Sequence, residues 1–180
     1  MLNPAGRAVT EWLASAHPVP AQARREFDVG IALVPTGVRF DAVRLPAAVV
    51  HAAAGSEDPD AVAAFLARAL GDGAVIHDAY GVGVWYYALA PPGTHSHWQV
   101  PGAECLGPGT WLGVPRPDLT ARPGPHWALP PGAVGTVCTV HAVTDLVTLG
   151  QDRLRMMPST PEPVHEHTAP PPGPTPGTTP

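Results

Sequence analysis

Three carboxylates stand where apolar strands are expected: Asp41 in "VRFDAVRLP", Asp78 at the end of "AVIHD" and Glu104 in "GAECLGPGTWLG". An unpaired charge is costly to bury, so acids placed this way need a partner or a task. Two of them on one sheet face could hold Mg²⁺ or Mn²⁺. The plainer alternative is that each pairs with a nearby arginine, Arg39, Arg44 or Arg116, or caps a turn. Asp41, Asp78, Glu104 and Arg116 are therefore the candidate ligand-binding residues, with Asp41 and Glu104 the candidates for catalysis.

Other chemistries have less to stand on. His95-Ser96-His97 puts two imidazoles on one side if extended, and His165-Glu166-His167 repeats the pattern, but neither has further ligands at metal-site spacing. Both pairs read more simply as surface histidines. No Gly-x-Ser-x-Gly elbow is present, and no Walker lysine or Gly-x-Gly-x-x-Gly turn joins a strand to a helix. Cys105 and Cys138 are too few for a disulfide framework and read as small buried apolar residues.

The positioning elements follow from periodicity and turn chemistry. Residues 6–15 read as a helix with Val9, Trp12 and Leu13 on one face. Apolar runs at 29–34 and 38–43 flank Pro35-Thr36-Gly37 and predict a hairpin. A short helix is expected over 46–54. A stronger one begins at N-cap Asp58 with Pro59 in its first turn and ends at Gly71. Strands are expected at 74–78 and 83–89, with Trp85 and Tyr87 on one side and Tyr86 on the other. Another pair, 103–106 and 110–114, is joined at Gly107-Pro108-Gly109. A loop around "RPGPHW" and a last helix carrying Val143, Leu146, Val147 and Leu149 complete the body. The expected fold is α+β, a mixed or antiparallel sheet flanked by a few helices, in one domain over residues 1–157.

Composition bounds the rest. The chain has 180 residues, 25 of them proline, and a formal net charge of −5, with ten basic residues that are all arginine. A general attraction to nucleic acid is therefore not expected. Residues 158–180 are Pro-rich with almost no large apolar side chain, which predicts a disordered tail with PxxP spacings that a protein partner could read. The opening "MLNPAGRAVTEWLASA" lacks a basic cluster ahead of an apolar core, and no apolar run is long enough to span a bilayer. A cytoplasmic protein with no membrane association is expected.

"GAECLGPGTWLGVPRPDLTARPGPHW" resembles the C-terminal segment of bacterial bifunctional DNA primase/polymerase N-terminal (prim-pol) domains, of the archaeo-eukaryotic primase superfamily. The matching residues are Gly102, Glu104, Gly107, Gly109, Trp111, Pro115 and Trp127. "EWLASAHPVPAQARREFDVGIALVPTG" looks like that family's opening helix and first strand, and "DAYGVGVWYYAL" like its Gly-containing turn and following strand. The resemblance implies a primase-polymerase-like sheet cradling a nucleotide and template. Carried over, Asp41 matches the first residue of an Asp-x-Asp pair, but Val43 stands at the second. Val84 or Trp85 replaces a histidine, and Glu104 matches the third acid. The implied protein is a stand-alone, catalytically inactive prim-pol-like domain, a nucleotide- or nucleic-acid-binding or accessory module. The alternatives are a residual metal-dependent nucleotidyltransferase or nucleotide hydrolase, served by Mg²⁺ or Mn²⁺, and a small protein-interaction domain.

Overall fold

The computed structural model describes residues 3–121 and 123–157, so the expectations for the tail lie outside the described residues. In chain order the elements are α1 (Pro4–Ala14), α2 (Pro20–Val29), β1 (Ile31–Pro35), β2 (Asp41–Pro46), α3 (Ala47–Ala54), α4 (Pro59–Leu70), β3 (Val75–Asp78) and β4 (Trp85–Ala90). A 3₁₀ turn (Thr94–Ser96), β5 (Glu104–Leu106), β6 (Trp111–Pro115), β7 (His126–Leu129) and α5 (Val140–Met156) follow. This is an α+β arrangement with antiparallel strand pairs throughout.

The strands form two sheets: five strands in the order β5-β2-β4-β3-β7, and a two-stranded ribbon of β1 and β6. Each face of the larger sheet builds its own core. Val43, Leu45, Val75, Tyr86 and Ala88 pack with residues of α3, α4 and α5. Ala42, Ile76, Leu89 and Trp127 pack with Val9 and Leu13 of α1, Phe27 of α2, and Val34 and Val114 of the ribbon. The sheet is thus covered by three helices on one side and by two helices and the ribbon on the other.

Local chemistry explains most helix ends. Asn3 caps α1, its Oδ1 accepting from the Gly6 N–H at 2.7 Å. Asp58 caps α4 by accepting from the Ala61 N–H at 2.9 Å, with Pro59 in the first turn. Thr139 caps α5, and Arg153 near its other end donates from Nη1 to the carbonyls of Ala52 and Ala53, tying α5 to the C-terminus of α3. At Gly150 the two helices come so close that a Cβ would collide with the carbonyl of Val49.

The two expected hairpins at 29–43 and 103–114 do not form. β1 and β2 lie in different sheets, as do β5 and β6. The turns between them are corners at which the chain leaves one sheet for the other, and the corners lock together. Thr36 donates through its N–H to the Thr110 carbonyl at 3.0 Å and through Oγ1 to the Gly107 carbonyl at 2.6 Å. A Cβ on Gly37, whose φ is +88°, would lie 2.5 Å from Pro108. Helix α2 and strand β7 occupy segments where no element was expected, and residue 29, expected to open a strand, closes α2.

Two outcomes follow. Gly150→Ala forces α3 and α5 apart and should cost about 1–3 kcal/mol or more, read as a lower urea midpoint. Cys138 is buried, and burial pushes its thiol up to about 12. Above the ordinary thiol pKa the unfolded chain gives up this proton while the native chain keeps it. Stability should therefore fall as pH rises from 9 toward 12, by up to about 1.4 kcal/mol per pH unit for this group. Urea titrations at pH 9, 10 and 11 measure the slope, and Cys138→Ala should reduce it by this group's share, leaving that of Cys105, whose thiol burial also pushes up to about 12.

Candidate functional site

Register decides which candidate residues can meet. β2 pairs with β5 so that Arg44 faces Glu104, Val43 faces Cys105 and Ala42 faces Leu106. Side chains opposite one another share a face, and neighbours along a strand alternate. Glu104 therefore shares its face with Ala42, Arg44 and Pro46. Asp41 lies on the other face with Val43, Leu45 and Cys105. Asp41 and Glu104 point to opposite faces, so the site that the primase-polymerase resemblance implies, with both acids in one place, is not assembled. A pair of acids facing Glu104 would have to stand at Arg44 and Pro46, where this chain has a cation and a proline.

On the Glu104 face the structure does assemble a cluster. Glu104 Oε2 lies 3.0 Å from Arg44 Nη2. The Arg44 guanidinium lies over the Trp85 ring, with Cζ 4.5 Å from its centroid. Tyr87 is opposite Arg44 in the β2–β4 register, and Asp78 is opposite Trp85 on β3. Burial raises the Tyr87 phenol pKa, Asp78 and Glu104 add to the rise, and Arg44 opposes it. A cleft of about 320 Å³ opens here, lined by Arg44, Pro46, Trp85, Gly102, Ala103 and Glu104. The Trp85 indole N–H donates to the Val82 carbonyl at 3.1 Å and so braces the β3–β4 turn. Asp78 Oδ1 accepts from the Tyr80 N–H at 2.8 Å, which makes it a turn cap. Arg116 directly follows β6 of the other sheet and pairs with Asp118.

Asp41 has a different task. It is fully buried, and its Oδ2 accepts the His95 backbone N–H at 2.8 Å and sits 2.8 Å from His95 Nδ1. Its Oδ1 has no hydrogen-bond partner among the described residues. The His95 ring rests against Gly107, where any Cβ would strike it. Because residues 94–96 form a 3₁₀ turn, His95 and His97 diverge instead of lying on one side. His97 Nδ1 meets Ser96 Oγ at 2.8 Å. His95 and Glu104 both border a second cleft of about 320 Å³ that also contains Trp98 and Gln99. Cys105, in the same wall, has its thiol pushed up to about 12 by burial and then by Asp41, so it is a poor nucleophile at neutral pH.

Sequence reasoning missed a cluster on the opposite sheet face. A cavity of about 280 Å³ is lined by His51, His77, Tyr86 and His126, with Glu57 and Asp60 among its other residues. His51 Nε2 lies 3.1 Å from the Tyr86 hydroxyl, and the His77 ring is 4.8 Å from both Tyr86 and His126. Three separate elements supply the histidines, so no local spacing announced them. Among the described residues no group of three or more His, Cys, Asp or Glu is placed to hold a metal ion. No described helix is long and apolar enough to cross a membrane.

The Asp41–His95 tie makes a testable difference in stability. His95→Ala leaves the buried carboxylate with only the backbone N–H, and should cost about 1–3 kcal/mol. Asp41→Asn removes the charge and keeps the shape, so it should cost less than half as much by urea unfolding. Equal losses would mean that packing, and not the buried charge, is what His95 supplies.

Comparison with protein-family models, with curated proteins and with solved structures found no match to this chain.

Proposed function

We propose that this chain is a non-catalytic primase-polymerase-like domain that binds a nucleotide or a short single-stranded nucleic acid on the Glu104–Arg44–Trp85 face. One observation carries the reading: Arg44 is opposite Glu104, bonds it at 3.0 Å and lies over Trp85. A guanidinium occupies the place in front of the remaining acid where metal-dependent phosphoryl transfer would need a divalent cation. An indole and an arginine at the cleft on this face suit stacking on a base and pairing with a phosphate.

The same geometry weakens the enzyme alternative. A nucleotidyltransferase or hydrolase using Asp41, Asp78 and Glu104 needs the three carboxylates together. Here Asp41 points to the far face, Asp78 caps a turn and Glu104 is bound by arginine. The acidic net charge of −5 favours a mononucleotide or short strand over a long duplex, because few phosphates can be neutralised. The interaction-domain reading draws on a different surface, the outer side of the ribbon, where Leu33 and Trp111 are exposed.

Thermal unfolding and tryptophan fluorescence of the full chain, with nucleotides and a short oligonucleotide, test the proposal. Ligand at about a hundred times its Kd should add ~2.7 kcal/mol and raise Tm by several degrees. Trp85→Ala should weaken binding by about tenfold, the scale of one lost base stack. No shift at millimolar nucleotide would favour the interaction module, and nucleotide turnover with Mn²⁺ would overturn the non-catalytic assignment.

A further inference from the structure

The cleft over Pro46 and Trp85 has two chemically different ends. At one end lies the indole of Trp85 on β4. At the other is the carboxylate of Glu104 on the edge strand β5. β2 runs between them, and Trp85 is opposite Pro46 while Glu104 is opposite Arg44, so two strand spacings and a two-residue offset, roughly 12 Å in all, separate their backbones. Their side chains close that interval enough for one planar group, the Arg44 guanidinium, to reach both.

Arg44 spans this interval. Its guanidinium lies over the indole, with Cζ 4.5 Å from the ring centroid, and brings Nη2 to 3.0 Å from Glu104 Oε2, one of the two carboxylate oxygens. The site is thus filled by a flat cation that meets one oxygen of a carboxylate. A planar ligand that stacks on Trp85 and turns two parallel N–H donors toward Glu104 would engage both oxygens and so outcompete it. Guanine meets these terms, because its N1–H and exocyclic amino group lie side by side on one edge. Adenine and cytosine each put an amino group beside a ring nitrogen acceptor, which a carboxylate repels. Uracil and thymine have one ring N–H between two carbonyls, and hypoxanthine keeps N1–H without the amino group.

We infer that this face is selective for guanine nucleotides. Glu104 reads the Watson–Crick edge, Trp85 stacks on the base, and Arg44, displaced from both, turns to the phosphate. The inference rests on the nucleotide-binding reading above. Displacement is feasible because the Arg44 and Glu104 side chains are 39% and 60% exposed, and an ion pair this open is weak in water. Arg44 is then a competitor built into the empty site as well as a contact in the filled one.

Titration of the full chain with GMP, IMP, AMP and CMP, followed by tryptophan fluorescence and thermal shift, tests this. GMP should bind about tenfold or more tightly than AMP and CMP, the discrimination a bidentate pair supplies, with IMP between. Glu104→Gln should bring GMP and AMP within about twofold of each other, because the amide offers one acceptor where the acid offers two. Guanosine, which has no phosphate, should bind Arg44→Ala more tightly than wild type, since the competitor is gone. Equal affinity for all four nucleotides would overturn guanine selectivity and leave nucleotide binding standing. Binding of none of the four would overturn both.

Discussion

A strand can offer each side chain to only one face of its sheet, and β2 imposes this rule on the whole molecule. It lies between β5 and β4 and supplies both cores. Val43 and Leu45 fill the helix-covered side, while Ala42 fills the other. The same alternation turns Asp41 away from solvent and brings Arg44 against Glu104. A one-residue slip would exchange every one of these assignments at once. The placement of Arg44 beside Glu104 is therefore as firmly set as the hydrophobic packing that fixes the register.

The glycines and prolines around Glu104 gain a different meaning from this frame. Gly107 is required because the His95 ring lies against it, and Pro108 fills the space left by Gly37. These close approaches join the two corners at which the chain changes sheets. The Gly-Pro-Gly stretch is thus architectural, and Glu104 lies three residues before it. The buried Asp41 belongs to the same construction. It holds His95 over Gly107 and so fixes the wall that follows β4.

Much of this was legible from the residues. Asp58, Pro59 and Gly71 mark the limits of α4, and the glycine-containing turn between β3 and β4 joins strands that do pair. What escaped was non-local or weakly patterned. Helix α2, "PAQARREFDV", buries only Ala23 and Phe27, too narrow a stripe to stand out. β7 sits among prolines and glycines that read as loop, although its Trp127 is buried and hydrogen-bonded to the Pro115 carbonyl. Turn residues identify a reversal but cannot tell a hairpin from a change of sheet, because the deciding partners, Thr110 for Thr36 and Trp111 for Pro35, are remote. The site was half readable for the same reason. Glu104 stood out by type, and Trp85 and Tyr87 were placed on one strand face without being read as part of a site, but the face on which Asp41 lies depends on its partner strands.

The ribbon has a consequence for how the chain reaches this state. β1 is made early in the sequence, yet its strand partner among the described residues is β6, and Thr36 waits for a carbonyl 71 residues downstream. Closing so long a loop is entropically expensive until other contacts have drawn its ends together. The helices and the central strands β2, β4 and β3 can organise from nearer neighbours, so the ribbon should close late. Until it does, β1 presents free backbone groups along both edges and the apolar side chains of Ile31 and Leu33 beside them. The period of greatest risk for mispairing with another chain therefore falls between the docking of β3 on β4 and the arrival of β6.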